Sequence, residues 1–205
     1  MAQPDDRCQI YLCMPDDIDS SRLDALIDAG GLDHVSCLML NAGPSGIDPR
    51  LAEKLVAAAQ GRDLPFVIDT DIETAARLGA DGVHIGADDD AYDAARDRLG
   101  DDAIIGAACG LSRHDALTMA ERGADYVAFS GPGEEDPAGL VAWWSQVTVV
   151  PCVAWDIADE DTAVRFAAAG ADFVAANIFA WERKHSPEQA LRQLSERLAG
   201  VKAAA

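Results

Sequence analysis

Short apolar runs alternate along the whole chain with longer runs in which apolar residues recur every three or four positions. The short runs cover 9–14, 35–40, 65–69, 83–86, 103–108, 126–130, 149–155 and 173–178. Several are apolar at nearly every position, as strands buried on both faces of a parallel sheet are. The longer runs carry helix punctuation. Asp19 or Ser20, Asp48-Pro49, Asp71 and Asp159 stand at helix starts, and Ser112 with Asp115 and Ser186 with Gln189 have capping-box spacing. Eight strands, each followed by a helix, in 205 residues predict a (β/α)8 TIM barrel occupying 1–205 as a single domain. A doubly wound open sheet is the competing architecture, but Met14-Pro15-Asp16-Asp17 stands where that fold needs a glycine-rich turn.

One motif recurs at the helix-to-strand junctions: Gly79-Ala80-Asp81, Gly123-Ala124-Asp125 and Gly170-Ala171-Asp172, separated each time by two strand–helix units. Each copy ends a helix on glycine and opens a strand. The first copy leads through Val83, His84 and Ile85 into the acidic loop Asp88-Asp89-Asp90. Strand alternation turns His84 away from both neighbours, toward either the barrel interior or the helical layer.

Composition narrows the partners. Lys and Arg total 16 against 36 Asp and Glu, a formal charge of −20, which repels phosphate backbones and anionic lipid. Nucleic acid and membrane are therefore excluded as expected partners, and a small-molecule ligand is expected. Salt adaptation produces a similar acidic excess. Five cysteines without metal-ligand spacing read as reduced thiols, and the polar, acidic start of the chain is unlike a signal peptide; both point to the cytoplasm. Trp143 and Trp144 share a helix and pack against the barrel or a second subunit, so a homo-oligomer is an open expectation.

Gly79 to Asp89 resembles the G-A-D-G-V-H-L-G-Q-x-D stretch of the thiamine phosphate synthases and the related thiazole tautomerases, small (β/α)8 barrels. The similarity continues through Ile104-Ile105-Gly106, Gly123 to Phe129, and Ala168 to Asp172 with Ile178-Phe179. The resemblance implies a transferase of thiamine biosynthesis that joins a pyrimidine diphosphate to a thiazole phosphate, with Mg²⁺ on the diphosphate. The chain is a diverged member. Asp69-Thr70-Asp71 replaces the family's Asn-Asp-Arg, and Asn41-Ala42-Gly43 stands where Arg and Lys are expected. Ala108 or Cys109 replaces a Ser, and Ser130-Gly131-Pro132-Gly133-Glu134-Glu135-Asp136 replaces a Thr and Lys phosphate clamp. Trp155-Asp156 replaces paired glycines, Ala176-Asn177 replaces Val-Ser, and the tautomerase His after the sixth strand is absent.

The loops after the strands converge on one face of such a barrel, and that face defines the candidate site. Asp69 and Asp89 are the candidate Mg²⁺ ligands, hard oxygen donors on neighbouring loops, with helix capping or an acidic rim as the alternative. His84, Ser130, Gly131, Trp155, Asp156 and Asn177 are the candidate substrate-binding residues, backbone groups near Ser130 and Asn177 standing in for the lost clamps. Arg113 and Arg183-Lys184-His185 are the basic residues in comparable loops. Cys109 is a conceivable nucleophile, with a structural thiol as the alternative. No catalytic residue is assigned. Because the clamps are gone, a non-catalytic or regulatory barrel is the alternative function: Trp155 would stack on a cationic or heteroaromatic ligand while Asp156 pairs with its charge.

Overall fold

The computed structural model describes residues 7–44, 46–131, 136–181 and 186–201. Eight parallel strands close into a barrel in chain order, each paired with its sequence neighbours and β1 with β8. They are β1 (Gln9–Met14), β2 (Cys37–Leu40), β3 (Phe66–Asp69), β4 (Gly82–Gly86), β5 (Ile104–Gly110), β6 (Tyr126–Phe129), β7 (Cys152–Ile157) and β8 (Phe173–Ala176). The helices are α1 (Ser20–Asp28), α2 (Pro49–Gln60), α3 (Ile72–Leu78), α4 (Asp89–Leu99), α5 (Arg113–Arg122), α6 (Pro137–Val147), α7 (Glu160–Ala169) and α8 (Pro187–Ala199), with a 3-10 turn, Gly31–His34, before β2.

The (β/α)8 expectation is met, and the helix caps are largely as the sequence implies. Asp19, Asp48, Asp71, Ser112 and Asp159 each accept a backbone N–H of the first turn, and Ser186 with Gln189 forms a complete capping box. Several boundaries shift, three of them with consequences for the candidate residues or the connections. α4 opens at Asp89 rather than 91 because Asp88 caps it, accepting from Ala91 N–H at 2.8 Å. β5 extends to Gly110, so Cys109 lies inside a strand. β7 begins at Cys152 rather than 149, because Val149 lies in the preceding connection with 99% exposure.

The Gly-Ala-Asp repeat has a mechanical explanation. Gly79, Gly123 and Gly170 end their helices in the left-handed region, at φ 65°, 97° and 101°, which glycine enters without a Cβ clash. The following alanine sends its N–H back five residues into the helix: Ala80 to the Ala75 carbonyl, Ala124 to Met119, Ala171 to Phe166. The aspartate then fastens the strand before it. Asp81 Oδ2 accepts from Phe66 N–H, Asp125 Oδ2 from Ile105 N–H and Asp172 Oδ2 from Cys152 N–H, each at 2.8 Å. In each case the aspartate's own N–H returns a bond to that same residue's carbonyl. Strands β3, β5 and β7 are thus held at their N-terminal ends.

Two apolar layers result. The outer one packs the helices on the barrel, and Trp144 is sealed within it, donating from Nε1 to the Val150 carbonyl at 2.8 Å. The inner one fills the barrel with Tyr11, Cys13, Cys37, Met39, Val67, Tyr126, Ala128, Val153 and Ala175. Glycine makes the inner layer fit: a Cβ on Gly82 would lie 1.9 Å from the Ile104 carbonyl oxygen, and one on Gly106 1.9 Å from the Tyr126 ring. Among the described residues no helix is long and apolar enough to cross a membrane.

Candidate functional site

His84 points into the barrel. Its register partners are Asp69 on β3 and Gly106 on β5, and Gly106 in turn pairs with Tyr126 on β6. Because in-register residues of a parallel pair share a face, His84 and Tyr126 meet across the missing side chain of Gly106. The Tyr126 hydroxyl lies 3.0 Å from His84 Nδ1 and 2.9 Å from the Tyr11 hydroxyl. A buried polar chain therefore runs from Tyr11 on β1 to His84 on β4. Burial holds the imidazole neutral, its pKa lowered from 6.5 to about 4, and pushes both tyrosines above their ordinary value.

Trp155 closes this column. Its ring stacks on His84 at 4.5 Å between centroids and 5° between planes, and meets Tyr11 at 5.6 Å. The Tyr126 ring is nearly parallel to His84 as well, at 7°. Tyr11 and Tyr126 were not singled out from the sequence. Alternation counted from His84 through the Gly106 register would have placed Tyr126 in the interior.

Asp156 departs from its neighbour. β7 carries one more residue than β8 between Ala154 and Ile157, a bulge, and Asp156 sits on it at φ 56°. Its carboxylate is exposed and accepts from Gly131 N–H at 3.1 Å, across to the end of β6. Trp155 and Asp156 are thus engaged with different partners, His84 and Gly131. Ser130 is half-buried and sends its N–H to the Gly110 carbonyl. Asn177 follows β8 directly, with its Oδ1 buried and without a hydrogen-bond partner among the described residues.

The two expected metal ligands have different surroundings. Asp69 faces inward at the end of β3, half-buried; burial raises its pKa, against a bond from Ala42 N–H that lowers it. Asp89 is in the exposed first turn of α4, and its Oδ1 lies 3.5 Å from Arg122 Nε on α5. Among the described residues no group of three or more His, Cys, Asp or Glu side chains gathers as a metal site. Of the two aspartates, Asp69 is the inward-facing carboxylate, and Asp89 is engaged by Arg122.

Asp71 is a cap, accepting from Thr74 N–H. Thr70, between the two aspartates, is in the left-handed region at φ 57° and donates its N–H to the His84 carbonyl at 2.8 Å, tying the end of β3 to β4. Cys109 is buried on the helical side, and burial raises its thiol to about 12, which removes the thiolate a nucleophile needs. Arg113 stacks on Trp143 at 4.6 Å. Pro132, Gly133, Glu134, Glu135 and Arg183-Lys184-His185 lie outside the described residues.

The architecture and this cluster define a class: a (β/α)8 barrel with an aromatic and histidine cluster in its interior, beneath the carboxyl ends of the strands where such barrels bind small molecules. The thiamine monophosphate synthase family model matches residues 48–177. The chain is 36% identical to the thiamine-phosphate synthase of Rhodospirillum centenum over 205 residues, covering 94% of this chain and 99% of that one. It is 39% identical to that of Erythrobacter litoralis, covering 88% and 92%. Among solved structures, the thiamine phosphate pyrophosphorylase of Pyrococcus furiosus superposes with a TM-score of 0.75 at 20% identity, covering 94% and 97%. The chain belongs to the thiamine monophosphate synthase family.

Proposed function

We propose that the protein is a transferase of the thiamine phosphate synthase type, joining a pyrimidine diphosphate to a thiazole at the mouth of the barrel. The observation that carries this reading is the Trp155 ring stacked on His84, 4.5 Å between ring centroids, inside a barrel whose relatives bear that name over almost their whole length. A flat heteroaromatic ring extends such a stack over Trp155, and a neutral imidazole beneath adds no repulsion toward a ring that becomes cationic. The buried Asn177 Oδ1, without a partner among the described residues, supports the same reading, as an acceptor for a substrate N–H. If the diphosphate brings a divalent ion, Asp69 is the inward-facing carboxylate at hand.

The test is direct. The protein incubated at high concentration with the pyrimidine diphosphate, Mg²⁺, and the thiazole as phosphate or as free alcohol should release diphosphate and form the joined product. No product with either acceptor overturns the reading. Trp155→Ala is expected to lower kcat/KM by about 10-fold to 100-fold, the scale of one lost aromatic contact.

The second reading, a non-catalytic barrel for a cationic heteroaromatic ligand, is favoured by the carboxylates Asp69 and Asp156 at the strand ends. It requires saturable quenching of tryptophan fluorescence by thiamine itself, weakened in Asp156→Ala, in a protein that turns over neither acceptor.

A further inference from the structure

The barrel interior treats the two ring nitrogens of His84 differently. Nδ1 lies 3.0 Å from the Tyr126 hydroxyl, which lies 2.9 Å from the Tyr11 hydroxyl. Nε2 makes no hydrogen bond among the described residues; the sealed side-chain atoms left without one there are Arg122 Nε and Asn177 Oδ1, so Nε2 keeps an opening. A neutral imidazole carries one proton, and the bond made at one nitrogen decides which of the two holds it. Each hydroxyl also has a single proton, so the chain runs in one of two directions. If Nδ1 donated, Tyr126 would donate to Tyr11, and the Tyr11 proton would be left with the neighbouring Cys37 thiol, a weak acceptor. If Tyr11 donates to Tyr126 and Tyr126 to Nδ1, both phenolic protons rest on good acceptors. Tyr11 and Tyr126 are both buried, where an ill-matched hydroxyl is costly, and the second direction is favoured.

We propose that Tyr126 is a positioning residue: its hydroxyl holds His84 as the Nε2–H tautomer, so that the imidazole offers the substrate an N–H donor and reads a ring nitrogen of the pyrimidine. This rests on the reaction proposed above. In the joining step the thiazole ring nitrogen forms a bond to the pyrimidine's methylene carbon as the carbon–oxygen bond to diphosphate breaks, the diphosphate leaving with the electron pair. The thiazole nitrogen therefore needs its lone pair free, and a donor bound to it would block the attack. The pyrimidine's ring nitrogens take no part in the bond changes and can accept. Register places the partners, His84 pairing with Gly106 and Gly106 with Tyr126. Glycine at 106 is what lets them meet, since a Cβ there would lie 1.9 Å from the Tyr126 ring.

The experiment reads the tautomer and the kinetics separately. Nitrogen NMR of the full chain carrying isotope-labelled histidine, with the His84→Gln spectrum assigning the signal, is expected to show His84 with a protonated Nε2 and a bare Nδ1 in wild type. Tyr126→Phe keeps the ring and should shift the Nδ1 signal and mix the tautomers; Tyr11→Phe leaves Tyr126 able to donate and should keep the wild-type tautomer. In turnover, Tyr126→Phe should raise KM for the pyrimidine diphosphate by about 5-fold to 10-fold, the scale of one misdirected hydrogen bond, and leave KM for the thiazole unchanged. His84→Gln offers an amide N–H in place of Nε2 without needing Tyr126, so adding Tyr126→Phe to it should cost less than about 2-fold. A wild-type Nδ1–H tautomer, a Tyr126→Phe spectrum identical to wild type, or equal KM losses in the two backgrounds overturns the proposal. If wild type forms no product, the reaction reading fails on its own, and the nitrogen spectra alone decide whether Tyr126 sets the tautomer.

Discussion

The two rims of the barrel solve the same geometric problem, turning a chain between strand and helix, in different ways. At the N-terminal rim one solution is used three times. Glycine takes the left-handed turn at 79, 123 and 170, alanine closes the helix, and aspartate clamps the preceding strand at 2.8 Å. At the C-terminal rim two of the left-handed turns are made by Thr70 and Asp156, residues for which φ near 57° is unfavourable, β-branched threonine above all. Asp63 is a left-handed aspartate in the connection between α2 and β3, outside the Gly-Ala-Asp turns. The repeated rim minimises strain and builds the fold; the other accepts strain at the rim where barrels of this kind bind their ligands.

The hardest blow to the fold lies in the interior that both rims enclose. Gly82→Ala forces a Cβ to within 1.9 Å of a carbonyl oxygen of the neighbouring strand, where no side chain can swing aside. A loss of about 4 kcal/mol or failure to fold is expected, read by urea denaturation or soluble yield. A stable Gly82→Ala protein would show that the barrel wall yields more easily than its packing implies.

His84 gives the next effect and tests the aromatic column under the mouth. Its native pKa, about 4, lies below the unfolded value of 6.5, so between these values the unfolded chain binds the proton and the native state does not. The stability this provides is complete above pH 6.5 and is lost as pH falls through 4, by roughly 3 kcal/mol. Asp69 acts in the opposite sense: its raised pKa means that acidification relieves a buried charge. Denaturation midpoints of wild type and His84→Asn from pH 7 to 4 separate the two, since only wild type should show the imidazole's contribution. Parallel curves would mean that the ring is solvated.

How far each rim could be read from the sequence follows from the same contrast. The N-terminal rim was legible because its information is local and repeated: Gly-Ala-Asp specifies cap, closure and clamp within three residues. The mouth was not, because its contacts depend on shape across strands. Trp155 and Asp156 are adjacent in sequence and suggested one joint site, yet the β7 bulge sends the ring to His84 and the carboxylate to Gly131. Asp69 and Asp89 were paired because their loops are neighbours; Asp89 stands in the first turn of α4, 3.5 Å from Arg122 Nε, while Asp69 faces the barrel interior, a difference set by cross-strand register that the sequence does not show. Tyr126 was hidden among apolar strand residues until Gly106 was seen to make room for it.

Substituting the two rims' aspartates should separate their roles directly. Asp125→Ala removes a carboxylate–N–H bond from the strand clamp and should cost about 1–2 kcal/mol, the range for a partly exposed charge-assisted bond. Asp69→Ala, at the mouth, removes a carboxylate whose charge is penalised by burial and should be neutral or stabilising at pH 7. Equal losses at both positions in thermal or urea melts would mean that the two rims are held together in the same way.

The smallest effect concerns strain alone. Thr70 sits at φ 57° and donates its N–H to the His84 carbonyl, and glycine can keep both the backbone conformation and that bond. Thr70→Gly removes the Cβ conflict but gives the unfolded chain more freedom, so the net gain should be about 0.5–1 kcal/mol. Gly123→Ala makes the reverse change at the other rim, placing a Cβ at φ 97°, and should lose about 1 kcal/mol or more. Opposite signs in a paired denaturation experiment would confirm that strain is confined to the mouth. A loss in Thr70→Gly would instead mean that the threonine side chain makes a contact there worth more than the strain it imposes.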